Sequence, residues 1–261
     1  MTSQAAALYD VSAGVATITL NRPEARNRLD AEAMALLVQH FDAAAQDPGV
    51  RVVVLTGSGS TFCAGADLAA AAAGDEAGFA GSGPQAMVRL LTTMLDHPKP
   101  IVAKVQGHVA GGGNGLVAAC DIAVASSDAL FAFSEVRVGV APAVISVACL
   151  AVMGRRDAQE LFLTGERVDA QRVREAGLVT RIAPPDALDA VVAGYAALLM
   201  AGGPEALAKA KRLIRRVPGL SRDEAFAETA ELSASLFSSA EAHEGMTAYL
   251  EKRPPSWTAS A

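Results

Sequence analysis

The segment Arg51-Val-Val-Val-Leu-Thr56 offers neither face of a strand to water. A run of this kind is buried on both sides, which is the habit of parallel sheets covered by helices. The surrounding sequence supplies those helices. Val15 to Leu20 alternates β-branched and apolar residues and predicts a strand. Pro23 punctuates its exit, and Asp30 is placed to cap the next segment. There Met34, Leu37, Val38 and Phe41 share one helical face, and Asp47-Pro-Gly49 stops the helix. Leu90, Leu91, Met94 and Leu95 predict a second helix ending at Asp96-His-Pro-Lys-Pro100. Ile101 to Val105 reads as a strand, followed by a short helix through Ala119 and a strand at Ile122 to Ala125. Phe131 and Phe133 alternate into the next segment, and Pro142 opens an apolar helix reaching about Met153. Short strands followed by helices fit a layered α/β core.

From Asp186 the pattern turns helical. Ala187–Leu199, Pro204–Arg216, Arg222–Leu236 and Ala240–Lys252 all read as helices. The division is therefore a core over 1–200 and a helical region over 201–261, joined near Ala201-Gly-Gly-Pro204. Pro204 sits in a first turn, and the basic residues gather at the far end, both favourable placements. Met246, Tyr249, Leu250 and the single tryptophan, Trp257, need a surface to pack on. An oligomerisation element is the sharper reading, and an ordinary helical subdomain the plainer one.

Composition narrows the function. The chain has 261 residues, 51% of them hydrophobic, enough for a sizeable core. Its net charge of -6 and lack of a basic block argue against a nucleic-acid partner. Cys63, Cys120 and Cys149 show neither disulfide nor metal spacing, and the four histidines form no ligand pair. No metal is expected. The start "MTSQAAALYD" lacks a secretory pattern, and charges interrupt the longest apolar run, at Glu135 and Arg137. A cytoplasmic protein with no membrane partner is the expectation.

Two small-residue turns share one physical logic: Cys63-Ala-Gly-Ala-Asp-Leu68 and Ala110-Gly-Gly-Gly-Asn-Gly-Leu116. Each precedes a predicted helix start, where backbone N–H groups lack partners and favour negative charge. Two such donors on one oxygen make an oxyanion hole, which suits an enolate as well as a tetrahedral intermediate. A tight turn or a close helix–strand contact explains either run equally well alone. Neither run is a phosphate loop, a dinucleotide fingerprint or a nucleophile elbow. The segment Ala69–Gly83 reads as a mobile loop lining or covering a pocket.

The proton-transfer candidates are Asp67, Asp121, Glu135, His108 and Lys104. Asp121 reads mainly as a cap or turn residue, and Asp67 as an organiser of its own turn. Glu135 lies in "FAFSEVRVGVAP", where apolar neighbours raise a carboxyl pKa toward use as an acid or base. Its plain alternative is a salt bridge to Arg137 or a lysine. Arg89, His97 and Lys104 are loose options for a cation facing a substrate carboxylate.

These motifs together carry a resemblance. "NRPEARN", "FCAGADL", "KPIVAKVQGHVAGGG", "CDIAVAS", "FAFSEVRVGVAP", "LFLTGERVDAQRVREAGLV" and "EGMTAYLEKRPPSW" occur in the order seen in the enoyl-CoA hydratase/isomerase (crotonase) superfamily. The resemblance runs from about Val11 to Trp257. It implies an α/β fold, a spiral of ββα units with a C-terminal helical trimerisation region, and homotrimers that commonly pair into hexamers. It implies an acyl-CoA thioester substrate, with coenzyme A as part of the substrate and no separate cofactor. The thioester oxygen would lie on the N–H groups of Ala66 and Gly112. The coenzyme A portion would lie along Arg26, Ala64, Asp67 and Leu68, beside Gly111 and Gly115. Tyr249 and Lys252 would complete a site from the C-terminal segment.

The chain departs from the family pattern at Gly115. Hydratases of the family carry two glutamates around the water; one matches Glu135 and the other matches Gly115. Ala141-Pro-Ala-Val-Ile-Ser146 resembles the bacterial methylglutaconyl-CoA and isoprenoid-glutaconyl-CoA hydratases, which implies a β-methyl-branched substrate with a distal carboxylate and a place in leucine or acyclic-terpenoid breakdown. Hydration with Glu135 as proton carrier is the leading expectation. The alternatives are an isomerase using one glutamate, other thioester-enolate chemistry such as decarboxylation, and a non-catalytic acyl-CoA binder.

Overall fold

A computed structural model describes residues 5–67, 72 and 83–258. Leu68 and nearly all of the Ala69–Gly83 segment lie outside the described residues.

The apolar run predicted as a doubly buried strand is one. Strand β3 (Val52–Gly57) has all its residues buried. It lies in a six-stranded sheet with β1 (Ala7–Ser12), β2 (Val15–Leu20), β5 (Ile101–Val105), β7 (Ile122–Ser126) and β10 (Arg181–Ala183). The order is β1-β2-β3-β5-β7-β10. Only the β1–β2 hairpin is antiparallel. A second sheet is made of short strands in the order β4 (Thr61–Cys63), β6 (His108–Ala110), β8 (Leu130–Ala132) and β9 (Arg167–Asp169).

The helices join the two sheets into repeating units. Strand β3, then β4, leads to α2 (Pro84–Leu95); β5, then β6, to α3 (Gly112–Ala119); β7, then β8, to α4 (Ala143–Val152). In each unit the first strand enters the large sheet, the second enters the small sheet, and the helix returns the chain. This is a spiral of ββα units. Helix α1 (Ala31–Gln46) precedes the spiral; the Asp30 side chain accepts the Ala33 N–H, as the cap reading required. Its predicted apolar face, Met34, Leu37, Val38 and Phe41, is buried.

The large sheet is covered on both faces. One face joins the main core through Ile18, Leu55, Ile101 and Ala103. The other carries Val52, Val54, Val102 and Val124 against α7 (Leu188–Met200). Helices α5 (Arg155–Thr164) and α6 (Ala170–Glu175) close the end of the core, where Leu161 and Val173 are buried.

The remaining helices are α8 (Pro204–Arg216), α9 (Arg222–Phe237) and α10 (Ala240–Glu251). Polar clamps tie them to the core. Lys211 pairs with Asp121 at 2.8 Å, and the same Asp121 oxygen accepts the Ile101 N–H at 2.7 Å. The Arg51 guanidinium donates to the carbonyls of Gly202 and Trp257. No single helix among the described residues is long and apolar enough to cross a membrane.

Candidate active site

The spiral brings the two small-residue turns together. Strands β4 and β6 are parallel neighbours, so the segments leaving them leave side by side. Gly65 adopts φ +85° and Gly111 φ +50°, both in the region that favours glycine. A methyl group on Gly65 would lie 2.8 Å from the Ala110 carbonyl oxygen and 3.0 Å from the Gly112 nitrogen. That approach sets the Ala66 turn against the first turn of α3, whose leading N–H groups have no intrahelical acceptor.

The Ala66 turn is held from the N-terminal side. The Leu29 N–H donates to the Gly65 carbonyl, and the Ala64 N–H donates to the Arg26 carbonyl. Arg26 and Asn27 both have positive φ. Asn27 is buried, and its amide donates to the carbonyls of Ser58 and Thr61 while its oxygen accepts the Arg22 N–H. The stretch Asn21–Asn27 is thus a clasp that sets the height of Ala64 and Gly65. Asp67 pairs with Arg28 at 3.0 Å, in keeping with a turn-organising role.

Glu135 stands over the other turn. It sits in the first turn of a 3-10 segment, Ser134–Val138, that closes on Gly139. A methyl group on Gly111 would meet Glu135 Oε1 at 3.6 Å. Glu135 Oε2 is buried and has no hydrogen-bond partner among the described residues. Desolvation raises the carboxyl pKa above the usual glutamate range. Among the described residues Glu135 forms no salt bridge with Arg137 or a lysine, and Arg137 instead donates to the Gly165 carbonyl at 2.9 Å.

Two of the other acid–base candidates are engaged elsewhere. Lys104 pairs with Asp189, and Asp121 with Lys211. His97 is buried against the carbonyls of Phe41 and Lys99, with its pKa pushed down mainly by desolvation. It is no cation for a substrate carboxylate, and neither is Lys104. Arg89 lines a groove between α1 and α2. His108 is exposed on β6. Burial pushes the Cys63 thiol up to about 12 and raises Cys120 and Cys149 as well, so none of the three is a poised thiolate.

Gly115 has a physical explanation that was not readable from its neighbours. A methyl group there would lie 2.6 Å from Ile145 Cγ2 and 2.9 Å from Ile145 Cβ. Ile145, on α4, fills the space toward which a residue-115 side chain would project. The position of the family's other glutamate is closed by a packed aliphatic group. Asn114 does not replace it, since its amide nitrogen donates to the carbonyls of Gly111 and Ala132.

The structure therefore gathers Arg26, Ala64, Gly65, Gly111, Gly112 and Glu135. It does not gather Tyr249 or Lys252. Tyr249 is 84% exposed, and Lys252 ends α10 in a left-handed cap. The sequence reasoning missed Asn27 and Ile145; the positive φ tolerated by asparagine was the available signal for the first.

Comparison with known proteins decides the family. The family model described as enoyl-CoA hydratase/isomerase matches residues 10–260. The chain belongs to the enoyl-CoA hydratase/isomerase family. It is 34% identical over 243 residues to 2,3-dehydroadipyl-CoA hydratase of Escherichia coli K12, covering 92% of this chain and 94% of that protein. It is 34% identical over 244 residues to the enoyl-CoA hydratase EchA19 of Mycobacterium tuberculosis, covering 92% and 91%. The crystal structure of an enoyl-CoA hydratase from Mycobacterium smegmatis superposes with a TM-score of 0.91 at 36% identity, covering 97% of this chain and 99% of that one. The crotonase fold and hydratase/isomerase activity on acyl-CoA substrates follow for this chain.

Proposed function

We propose that the chain hydrates an α,β-unsaturated acyl-CoA through a thioester enolate, with Glu135 as its only proton-carrying carboxylate. The observation that carries this reading is Glu135 Oε2, buried and without a hydrogen-bond partner among the described residues, on a carboxyl packed over Gly111. The thioester oxygen sits between the N–H groups of Ala66 and Gly112, which stabilise the charge that develops on it. Water bonds to the β-carbon and gives one proton to the Glu135 carboxylate. The electron pair of the C=C bond moves into the enolate. The neutral Glu135 carboxyl then returns that proton to the α-carbon. The raised pKa favours the neutral form that this last step needs.

A substrate with a distal carboxylate, of the 3-methylglutaconyl-CoA type, is part of the proposal. It is supported by the Ala141–Ser146 resemblance and by the dicarboxylic acyl group in the name of the Escherichia coli relative. In this reading the coenzyme A portion lies along Arg26, Ala64, Asp67 and Leu68, beside Gly111 and Gly115. The 201–261 region joins copies into a homotrimer or homohexamer, supported by the exposed Phe226, Phe237, Tyr249 and Leu250, with Tyr249 and Lys252 reaching a site across that contact.

One observation favours isomerisation as a second reading. Ile145 shuts the Gly115 side, and moving a double bond needs only one carboxylate. The test is the mass of the products from 3-methylglutaconyl-CoA, crotonyl-CoA and a 3-enoyl-CoA. A gain of one water on the branched substrate supports hydration. Constant mass with a 3-enoyl to 2-enoyl shift, and no water gain on any substrate, leaves the isomerase.

A further inference from the structure

Asn114 is buried in the first turn of α3, a helix otherwise made of glycine, alanine and branched aliphatics. A buried amide is unfavourable unless its hydrogen bonds are made. Here only one end makes them. The amide nitrogen donates to the Ala132 carbonyl at 2.8 Å and to the Gly111 carbonyl at 3.3 Å. The amide oxygen is buried and has no partner among the described residues.

The bonds converge on a single residue. The Asn114 backbone N–H also donates to the Gly111 carbonyl, at 3.0 Å, and the Gly111 N–H donates to the Ala132 carbonyl at 3.1 Å. Gly111 is therefore fixed at both ends, with Ala132 on β8 as the anchor. Its φ of +50° and ψ of -124° lie where only glycine is comfortable, so the local chain has little stiffness of its own. A trans peptide is planar, with its C=O and the following N–H pointing in opposite directions. Holding the Gly111 oxygen therefore sets the direction of the Gly112 N–H.

We propose that Asn114 is a positioning residue that aims the Gly112 N–H at the thioester oxygen by clamping the Gly111 peptide to β8. The inference rests on the reading of Ala66 and Gly112 as the donors to that oxygen. Asn114 touches no reacting atom. Its donor end supplies the stiffness that the glycines lack.

The test reads the donor directly. The probe is crotonyl-CoA labelled with carbon-13 at the carbonyl, bound to the Glu135→Gln chain so that turnover is suppressed. The carbonyl stretching frequency falls when two well-aimed N–H groups polarise the bond. The account expects a clear fall in the Glu135→Gln chain and a smaller one when Asn114→Leu, which keeps the bulk and removes both donors, is added. Asn114→Ser, with one hydroxyl donor, should fall between them, and it carries the comparison alone if the leucine variant does not fold. With Glu135 intact, Asn114→Leu should lower kcat roughly ten- to a hundredfold while KM stays within about twofold. No fall in frequency with Glu135→Gln alone would remove the donor reading and this inference with it. A full fall retained in both Asn114 variants would overturn the role of Asn114 and leave the donor reading standing.

Discussion

Helices α3 and α9 use small and apolar residues in opposite ways. Seven residues of α3, from Gly113 to Ala119, are buried, and its flanks are in contact with β4, β8 and α4. Helix α9 carries Phe226, Leu232, Leu236 and Phe237, yet none of its residues is buried. In α3 every direction in which a side chain could grow is already filled: Cys63 faces Gly113, Ile145 faces Gly115, and the Ala132 carbonyl holds Asn114. In α9, Leu232 and Leu236 are half-buried, while Phe226 and Phe237 remain exposed. The first helix leaves no room on its buried flanks, and the second leaves two phenylalanines open to solvent.

The difference can be broken at Gly115. Gly115→Glu forces a side chain into Ile145, so it should destabilise by about 1–3 kcal/mol or more, the usual range for overpacking a core. Adding Ile145→Ala should recover part of that loss. Urea midpoints of the two variants and the parent check this. An equal loss in single and double variants would mean that Ile145 is not the obstacle.

The corresponding change on α9 should leave the fold of each copy alone. Phe237→Asp, at a residue 68% exposed, is expected to shift stability of the isolated copy by no more than about 0.5 kcal/mol. The solution mass by light scattering should fall toward that of one chain. A parent mass of one chain would remove the proposed assembly, and an unchanged multiple of it in the variant would place the contact between copies elsewhere.

The smallest effect is a dependence on pH. Desolvation raises the folded-state pKa of Glu135 above its unfolded value, so the folded chain holds that proton more tightly. Its stabilising contribution is fully present below the unfolded pKa and is lost as pH rises through the folded pKa. Glu135→Gln should flatten that stretch of the stability curve and make the chain relatively more stable above it. Parallel curves for the two chains through that window would mean that the carboxyl is not desolvated.

The sequence showed long elements better than short ones. Strand β3 was legible because four apolar residues in a row exclude a solvated face, and α1 because Met34, Leu37, Val38 and Phe41 recur on one face over about two turns. Strands β6, β8 and β9 have three residues each, too few for any periodicity to register. Strand β1 was missed because Ala7-Leu-Tyr-Asp-Val-Ser12 has no clean alternation; only its first residue is buried. Of the candidate site, Glu135 and the paired turns could be reasoned out locally. A carboxyl among apolar residues, or glycines before a helix, announces its chemistry from its neighbours. Ile145 could not be, since it lies 30 positions from Gly115 and the two meet only once α4 packs on α3. The grip of Asn114 on Ala132 was hidden for the same reason, since it depends on β8 lying beside β6.

The central claim is that one carboxylate, Glu135, moves the proton. The most direct measurement is turnover of 3-methylglutaconyl-CoA by Glu135→Gln under saturating substrate, together with the binding of that thioester. The account predicts turnover lower by roughly 10²–10⁴, the range for loss of a general acid–base group, with binding nearly unchanged. Turnover retained within a few fold of the parent chain would show that another group carries the proton.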